Sequence, residues 1–420
     1  MRKISALVFA GWLCWALPLA AQHAHSSGGG MPAPDFAAAV LHHNGSGTSA
    51  EPDSTTTPMW MLMKDHWMLM FHGETFLNDT QQSGPRGGDK LFSTNWFMAM
   101  AQRRAGPGTL TLRAMLSLEP ATVTGRYYPE LFQQGETAFG KPLIDGQHPH
   151  DLLMEIAALY DLRLSDRTLL SVYAAPVGDP ALGPAAYPHR ASASEDPLAP
   201  LGHHLEDATH ISDDVVTVGL TQGIGRIEFS GFHGREPDEF RWNLDQGRMD
   251  SWSWRATVNP SANWSGQFSM GHLHSPEALR PDENIVRTTA SLMYNRPLAG
   301  GSWASTLVWG RNHSSEGLTW NGYLAETTLR FADRNAVWGR IEDVDRTTEL
   351  LQPAPGLPEG IAGRVQAYTA GYDRSVGTWP HLDIAPGGQF TLYRTPAGLR
   401  PEYGPHPVGV VLFLRLRIVP

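Results

Sequence analysis

The chain has 420 residues, 18% of them charged, and a formal net charge of −10 at pH 7. A mildly acidic chain without basic patches is not built to bind nucleic acid. The length exceeds one ordinary globular core, which leaves several domains or one large β-barrel; 43 Gly, 32 Pro and 14 Trp fit many turns and many interfacial aromatics.

The chain opens "MRKISALVFAGWLCWALPLAAQ": Arg2 and Lys3, an apolar run from Ile4 to Leu19, then the small residues Ala20 and Ala21. This is the pattern of a secretory signal peptide over residues 1–21. The single cysteine, Cys14, lies inside it, so the exported chain is expected to use neither disulfides nor thiolate ligands. Residues 22–58 are dominated by Gly, Ser, Thr, Pro and His and read as a disordered segment.

From Met59 onward the pattern is period two. In "TLTLRAMLSL" Leu110, Leu112, Ala114, Leu116 and Leu118 share one face and Thr109, Thr111, Arg113, Met115 and Ser117 the other. The same alternation runs through "RIEFSG", "SWSWRATV", "WSGQFSMGH", "GYLAETTLRF" and the terminal "VGVVLFLRLR". In "GQHPHDLLMEIAALYDLRL" it places Leu152, Met154, Ile156, Ala158, Tyr160 and Leu162 together and Glu155 and Asp161 opposite, a strand and not a helix. Tight Gly-, Asp- or Pro-containing turns, such as "RRAGPG", "LSDR" and "NPSAN", alternate with long polar connections such as 119–150 and 175–209. Short on one side and long on the other is the anatomy of a transmembrane antiparallel β-barrel with periplasmic turns and extracellular loops, and the spacing gives about sixteen strands over residues 59–420. Trp252, Trp264, Trp303, Trp309 and Tyr323 fall near strand ends, where interfacial girdles sit. The competing reading, an exported β-sandwich, needs no such loop asymmetry.

Four blocks, "FQQGETAFGKPLIDGQHPHDLLMEIA", "GPAAYPHRASASEDPLAPLGHHLEDATHI", "FHGREPDEFRWNLD" and "TTASLMYNRPL…WASTLVWGRNH", resemble a largely uncharacterised family of Gram-negative outer-membrane β-barrel proteins. The resemblance runs over most of the chain beyond Met59. It implies outer-membrane localisation, with membrane lipids, lipopolysaccharide and the barrel-insertion machinery as partners, and it supplies no functional residues. The Met- and His-rich N-terminal region is also similar in composition to copper-resistance outer-membrane barrels. The chain departs from the barrel habit of ending on an aromatic residue: it ends "LRIVP".

Inward parity predicts a lumen lined by Arg113, Glu155, Asp161, Arg226, Glu228, Arg255, Glu326, Arg330, Arg340, Glu342, Arg415 and Arg417. Charges of both signs on a wide wall suit a porin-like passive channel for small hydrophilic solutes; the same charges could instead pair with one another. A homo-oligomer is compatible with this reading, and no cofactor is required by it.

Two clusters could ligate a transition metal, copper or zinc: His148, His150 and Asp151 before one strand, and His203, His204, Glu206, Asp207 and His210 before another. Both are expected at one extracellular rim, where the alternative is a hydrogen-bond network bracing loop backbone. The tail adds His23, His25, His42, His43 and Met31, with Met59, Met61 and Met63 following. A third function class rests on "RNHSSEG", where His313 precedes Ser315 by two residues, similar to the His-x-Ser-Asn-Gly of outer-membrane phospholipases but with Glu316 at the Asn position.

Overall fold

A computed structural model describes residues 36–42, 45–351 and 358–420. The signal-peptide reading and His23, His25, Met31 and His43 lie outside the described residues.

Strands that are apolar on alternate residues cannot bury both faces in one core, and here they close on themselves. Sixteen form a single antiparallel barrel: β1 (Trp67–Gln82), β2 (Lys90–Ala105), β3 (Gly108–Leu116), β4 (Leu153–Ser165), β5 (Thr168–Gly178), β6 (Ser212–Gln222), β7 (Gly225–Phe232), β8 (Ser251–Ser261), β9 (Trp264–His274), β10 (Asn284–Leu298), β11 (Gly301–Ser314), β12 (Thr319–Phe331), β13 (Asn335–Thr347), β14 (Ile361–Arg374), β15 (Leu382–Arg394) and β16 (Val408–Ile418). β1 pairs with β2 on one side and β16 on the other, so the sheet has no free edge. A short strand, Trp60–Lys64, folds back on the start of β1.

The outward residues are the apolar ones. Val410, Leu412 and Leu414 on β16 are exposed while Val411, Phe413, Arg415 and Arg417 between them are buried. Ile227 and Phe229 on β7 and Tyr323 and Leu329 on β12 repeat the pattern. An exposed apolar band around a closed sheet is what a barrel in lipid requires. At the short-turn end Trp264, Tyr294 and Trp303 form a row on adjacent strands, the first pair tilted and the second edge to face, with ring centroids 4.7 and 5.4 Å apart.

The expected loop asymmetry is present. Turns at 106–107, 166–167, 223–224, 262–263 and 299–300 close one end, and 83–89, 117–152, 179–211 and 233–250 are among the connections at the other. Residues 117–152 carry a hairpin of their own, Tyr128–Ala138 paired with Lys141–Gln147.

Two expectations are corrected. The strand expected from Leu152 begins at Leu153. A bulge places Met115 opposite Glu155 and Leu116 opposite Leu153, so Met154 has no partner and is buried instead of following the outward row. The segment read as disordered is ordered where it is described: Phe36, Ala37 and Val40 are buried in a short helix, and Ser46, Thr48, Glu51 and Thr55 are buried further on.

Candidate functional site: the filled lumen

All twelve charges assigned to the lumen lie on the inner face, and eleven of them are buried, with Arg330 in part exposed. Protein covers them. Residues 179–211 fold down from the long-loop end, and residues 45–58 lie against the wall nearer the short turns.

The loop enters the lumen because its composition allows it. "GDPALGPAAYPHRASASEDPLAPLGHH" alternates small residues with a few charges. A buried loop must satisfy its own backbone, and this one does so with successive turns (His189 N–H to Ala186 O, 2.9 Å; Ala193 to Arg190, 3.0 Å; Asp196 to Ala193, 2.9 Å; His203 to Pro200, 3.0 Å). Wall side chains supply further partners. Ser230 and Ser269 accept from the amides of Ala181 and Gly183, at 2.8 and 2.9 Å. Thr328 donates to Ser192 O at 2.7 Å, and Arg346 to Leu201 O at 2.6 Å. Gly310 on β11 leaves the loop room that a side chain would take: a Cβ there would stand 2.3 Å from Leu205 O.

The charges then meet across the gap. Glu195, fully buried, lies 2.7 Å from Arg330 Nε, 3.0 Å from Arg415 Nε and 2.8 Å from Arg417 Nη1. Asp196 lies 3.0 Å from Arg340. Arg190, also fully buried, bridges Glu326 at 2.9 Å and Asp207 of its own loop at 2.6 Å. Some wall charges also pair with one another, as Arg113 with Glu155 at 2.7 Å and Arg255 with Glu228 at 3.0 Å. Leucines of the loop fill apolar recesses: Leu182 beside Phe232 and Leu273, Leu198 beside Phe92, Trp338 and Phe413, and Leu201 and Leu205 beside Val344 and Val365.

The N-terminal segment also lies against the inner wall. Arg113 donates to Gly45 O at 3.2 Å and also to Gly47 O; Arg226 donates to Thr48 O and Arg255 to Thr48 Oγ1, both at 3.0 Å. Asn259 holds Glu51 O at 3.1 Å and Asp53 at 2.8 Å. The segment also touches the loop: Ala186 N–H donates to Ser46 Oγ at 2.9 Å, and Ala191 N–H to Glu51 at 3.0 Å.

The histidine clusters do come together, inside the mouth instead of on an exposed rim. Ring centroids run His148–His204 at 5.5 Å, His204–His203 at 5.1 Å, His203–His210 at 5.2 Å and His210–His150 at 5.4 Å. Most of the carboxylates are engaged. Asp151 pairs with Arg241 at 3.1 Å, and Asp207 with Arg190 and with His203 Nδ1, each at 2.6 Å. Glu206 is fully buried with neither carboxylate oxygen partnered, and burial, then the charge of Asp207, holds its carboxyl well above the ordinary range.

Two acids in this cluster carried no sequence signal. Glu119 binds His150 Nδ1 at 3.0 Å, and Glu136, from the hairpin, lies 3.0 Å from His148 Nε2. Glu136, His148 and His204 can bring one donor atom each within 4.8 Å of the others. Neither ring nitrogen of His204 has a partner, and His148 Nε2 is not aligned for a hydrogen bond despite its closeness to Glu136. Burial, then the rings of His203 and His148, holds His204 well below the imidazole range, while Arg241 and His148 overcome burial to hold Glu136 well below the carboxylate range. Neutral imidazole and ionised carboxylate are the ligating forms.

His313 and Ser315 do not pair with each other. His313 Nδ1 contacts Thr319 Oγ1 at 2.7 Å, and Ser315 Oγ accepts from Asn284 N–H at 3.0 Å.

No protein-family model matches the chain, and no curated protein does. Solved structures do match. The anion-selective porin from Comamonas acidovorans superposes with a TM-score of 0.51 at 8% identity, covering 84% of this chain and 100% of that one. OmpF of Salmonella typhi, solved with daunomycin, gives 0.50 at 8% identity, covering 85% and 100%. OprB of Pseudomonas putida gives 0.50 at 9% identity, covering 83% and 94%. At these identities the likeness concerns the fold: the chain has the sixteen-stranded architecture of porins.

Proposed function

We propose that the protein is a porin-like channel of a Gram-negative outer membrane, serving small hydrophilic solutes and held closed at rest by its own chain. The observation that carries this reading is the loop 179–211 seated among wall arginines, with Glu195 shared by Arg330, Arg415 and Arg417. Withdrawing such a loop leaves a wall of mixed charge, which water fills readily. Membrane lipid and lipopolysaccharide meet the apolar outer band, and the insertion machinery assembles the strands. The test is planar-bilayer conductance of the full chain against a variant in which residues 185–206 are replaced by a short Gly/Ser link. Brief, rare openings are expected from the first and a large steady conductance from the second. A variant that keeps the heat-modifiable migration of a folded barrel yet never conducts ends the channel reading.

A second reading is favoured by Glu136, His148 and His204, whose donor set suits Zn(II), Cu(II) or Ni(II). His148 and Glu136 belong to one loop and His204 to the other, so an ion there would tie the hairpin to the stopper. Titration with Zn(II) is expected to give a site lost in His148→Ala and in His204→Ala; unchanged binding in both removes it.

A further inference from the structure

The inner wall of a water-filled barrel is polar, yet one part of this wall is soft. Met98 and Met100 on β2, Met115 on β3 and Met154 on β4 all face inward, and none is more than 4% exposed. Register aligns three donors in a row: His72 on β1 is the direct partner of Met98, and Met98 is the direct partner of Met115. His72 Nε2 lies 3.0 Å from Met98 Sδ. His189 of the loop comes down onto the same row, with Nε2 3.4 Å from Met115 Sδ and its ring 5.9 Å from that of His72.

Buried imidazoles are normally anchored by good hydrogen-bond partners. Here two are not. His72 is 1% exposed, its Nδ1 has no partner, and its other nitrogen meets only a thioether, a weak acceptor. The Nε2 of His189 likewise meets a thioether. Simple packing of sulfur against rings would account for one such contact; it does not account for two ring nitrogens each directed at a sulfur on neighbouring strands. A cavity of about 50 Å³ borders His72, Trp96 and His189, with Glu51 and Glu74 also in its lining.

We propose that His72, Met98, Met115 and His189 form a binding site for a soft monovalent transition-metal ion, Cu(I) in its chemistry. The donor set is two imidazoles and two thioethers, all neutral. Thioether selects Cu(I) over Zn(II) and the hard divalent ions. Glu155, the register partner of Met115, has one carboxylate oxygen engaged by Arg113 and Tyr173, each at 2.7 Å, and it is the two thioethers that set the preference for a soft ion. Three ligands come from the wall and one from the stopper, so a bound ion would hold the loop in place, and by linkage its binding would favour the closed state. The site stands apart from the Glu136, His148 and His204 group and does not depend on the channel reading.

The test uses the full chain in detergent, with Ag(I) as the redox-inert probe in chloride-free buffer and Cu(I) checked anaerobically by competition with a chromophoric chelator. Met98→Leu with Met115→Leu keeps volume and removes both sulfurs. The wild type is expected to bind one more equivalent of Ag(I) than this variant, with sulfur in the ion's coordination shell by X-ray absorption. His189→Ala is expected to weaken that equivalent by about tenfold or more, and His148→Ala to leave it intact. Should the double variant misfold, Met98→Leu alone is expected to lower the sulfur count by one. Equal stoichiometry and affinity in wild type and the leucine variants, or a shell without sulfur, overturns the proposal.

Discussion

The two sides of the lumen grip the same short stretch of loop with opposite chemistry. On the β12–β16 side, Glu326, Arg330, Arg340, Arg415 and Arg417 engage Arg190, Glu195 and Asp196 through charge-assisted contacts that require particular angles. On the β1–β3 side, the neighbouring His189 meets the thioether of Met115 and the tilted ring of Trp96, 4.7 Å away. Ion pairs removed from water are costly to break singly, because the abandoned partner stays buried. Sulfur contacts tolerate change of shape and are easily remade. One side therefore fixes where the stopper sits, and the other is where a ligand could alter how firmly it sits.

The sharpest way to break that contrast is Glu195→Ala, which takes the shared carboxylate from three arginines. A stability loss of about 3–5 kcal/mol is expected, with frequent openings in the bilayer; urea unfolding and single-channel recording read the two effects. A variant as stable and as closed as wild type would show that the ionic side does not set the stopper's position.

A covalent link should substitute for the ionic grip. Ser192 Oγ and Thr306 Oγ1 are 2.6 Å apart across the loop–wall gap. Ser192→Cys with Thr306→Cys is expected to form a disulfide that suppresses openings until reductant is added. Openings that persist with the bond formed would mean that solutes do not pass where the loop sits.

Acidity offers a graded test. Burial pushes Glu51 up to about 7, against the hydrogen bond from the Ala191 amide that favours its ionised form. Because the folded value lies above the ordinary value of 4.5, the protonated carboxyl is favoured in the closed state. The cost of ionising it therefore grows as pH rises from 4.5 toward about 7 and is fully present above that. His210, pushed down to about 3 by burial and by the rings of His203 and His150, has the opposite slope: it penalises closure as pH falls below the ordinary value of 6.5. Glu51→Gln is thus expected to close more firmly than wild type near pH ~8 and no more firmly near pH ~4. Conductance measured across that range checks it; an advantage that is the same at both ends would be unrelated to ionisation.

The smallest effect is expected on the soft side. Met98→Leu with Met115→Leu, without added metal, should cost less than about 1.5 kcal/mol and leave closure unchanged. A large loss there would make the thioethers structural anchors equal to the arginines.

The barrel was legible because lipid forces the outward residues to be apolar along every strand, and that signal is local. The length and the Pro and Arg content of 188–207 suit an ordered plug in the lumen, but its partners were not legible, because the contacts join distant positions: Glu195 with Arg417, Arg190 with Glu326, Thr48 with Arg255. One cue was present. Met98 and Met100 beside Phe97, or Val411 and Phe413 between Leu412 and Leu414, make strands apolar on both faces, the mark of a wall covered on both sides. The histidines stood out by residue type. Glu136 and Glu119 did not, since nothing around either marks it as a partner. Residues 45–58 look like a flexible linker because many of their contacts are made by backbone carbonyls, which every sequence has, and the others by isolated Ser, Thr, Glu and Asp side chains that any polar linker carries.

The loop 179–211 is continuous with β5 at one end and β6 at the other. A stopper tethered at both ends cannot diffuse away, so its return is a unimolecular event governed by tether length and not by the abundance of any partner. In the closed-channel reading proposed above, each molecule carries its inhibitor at a fixed high effective concentration, and any agent that opens it must compete continuously to keep it open.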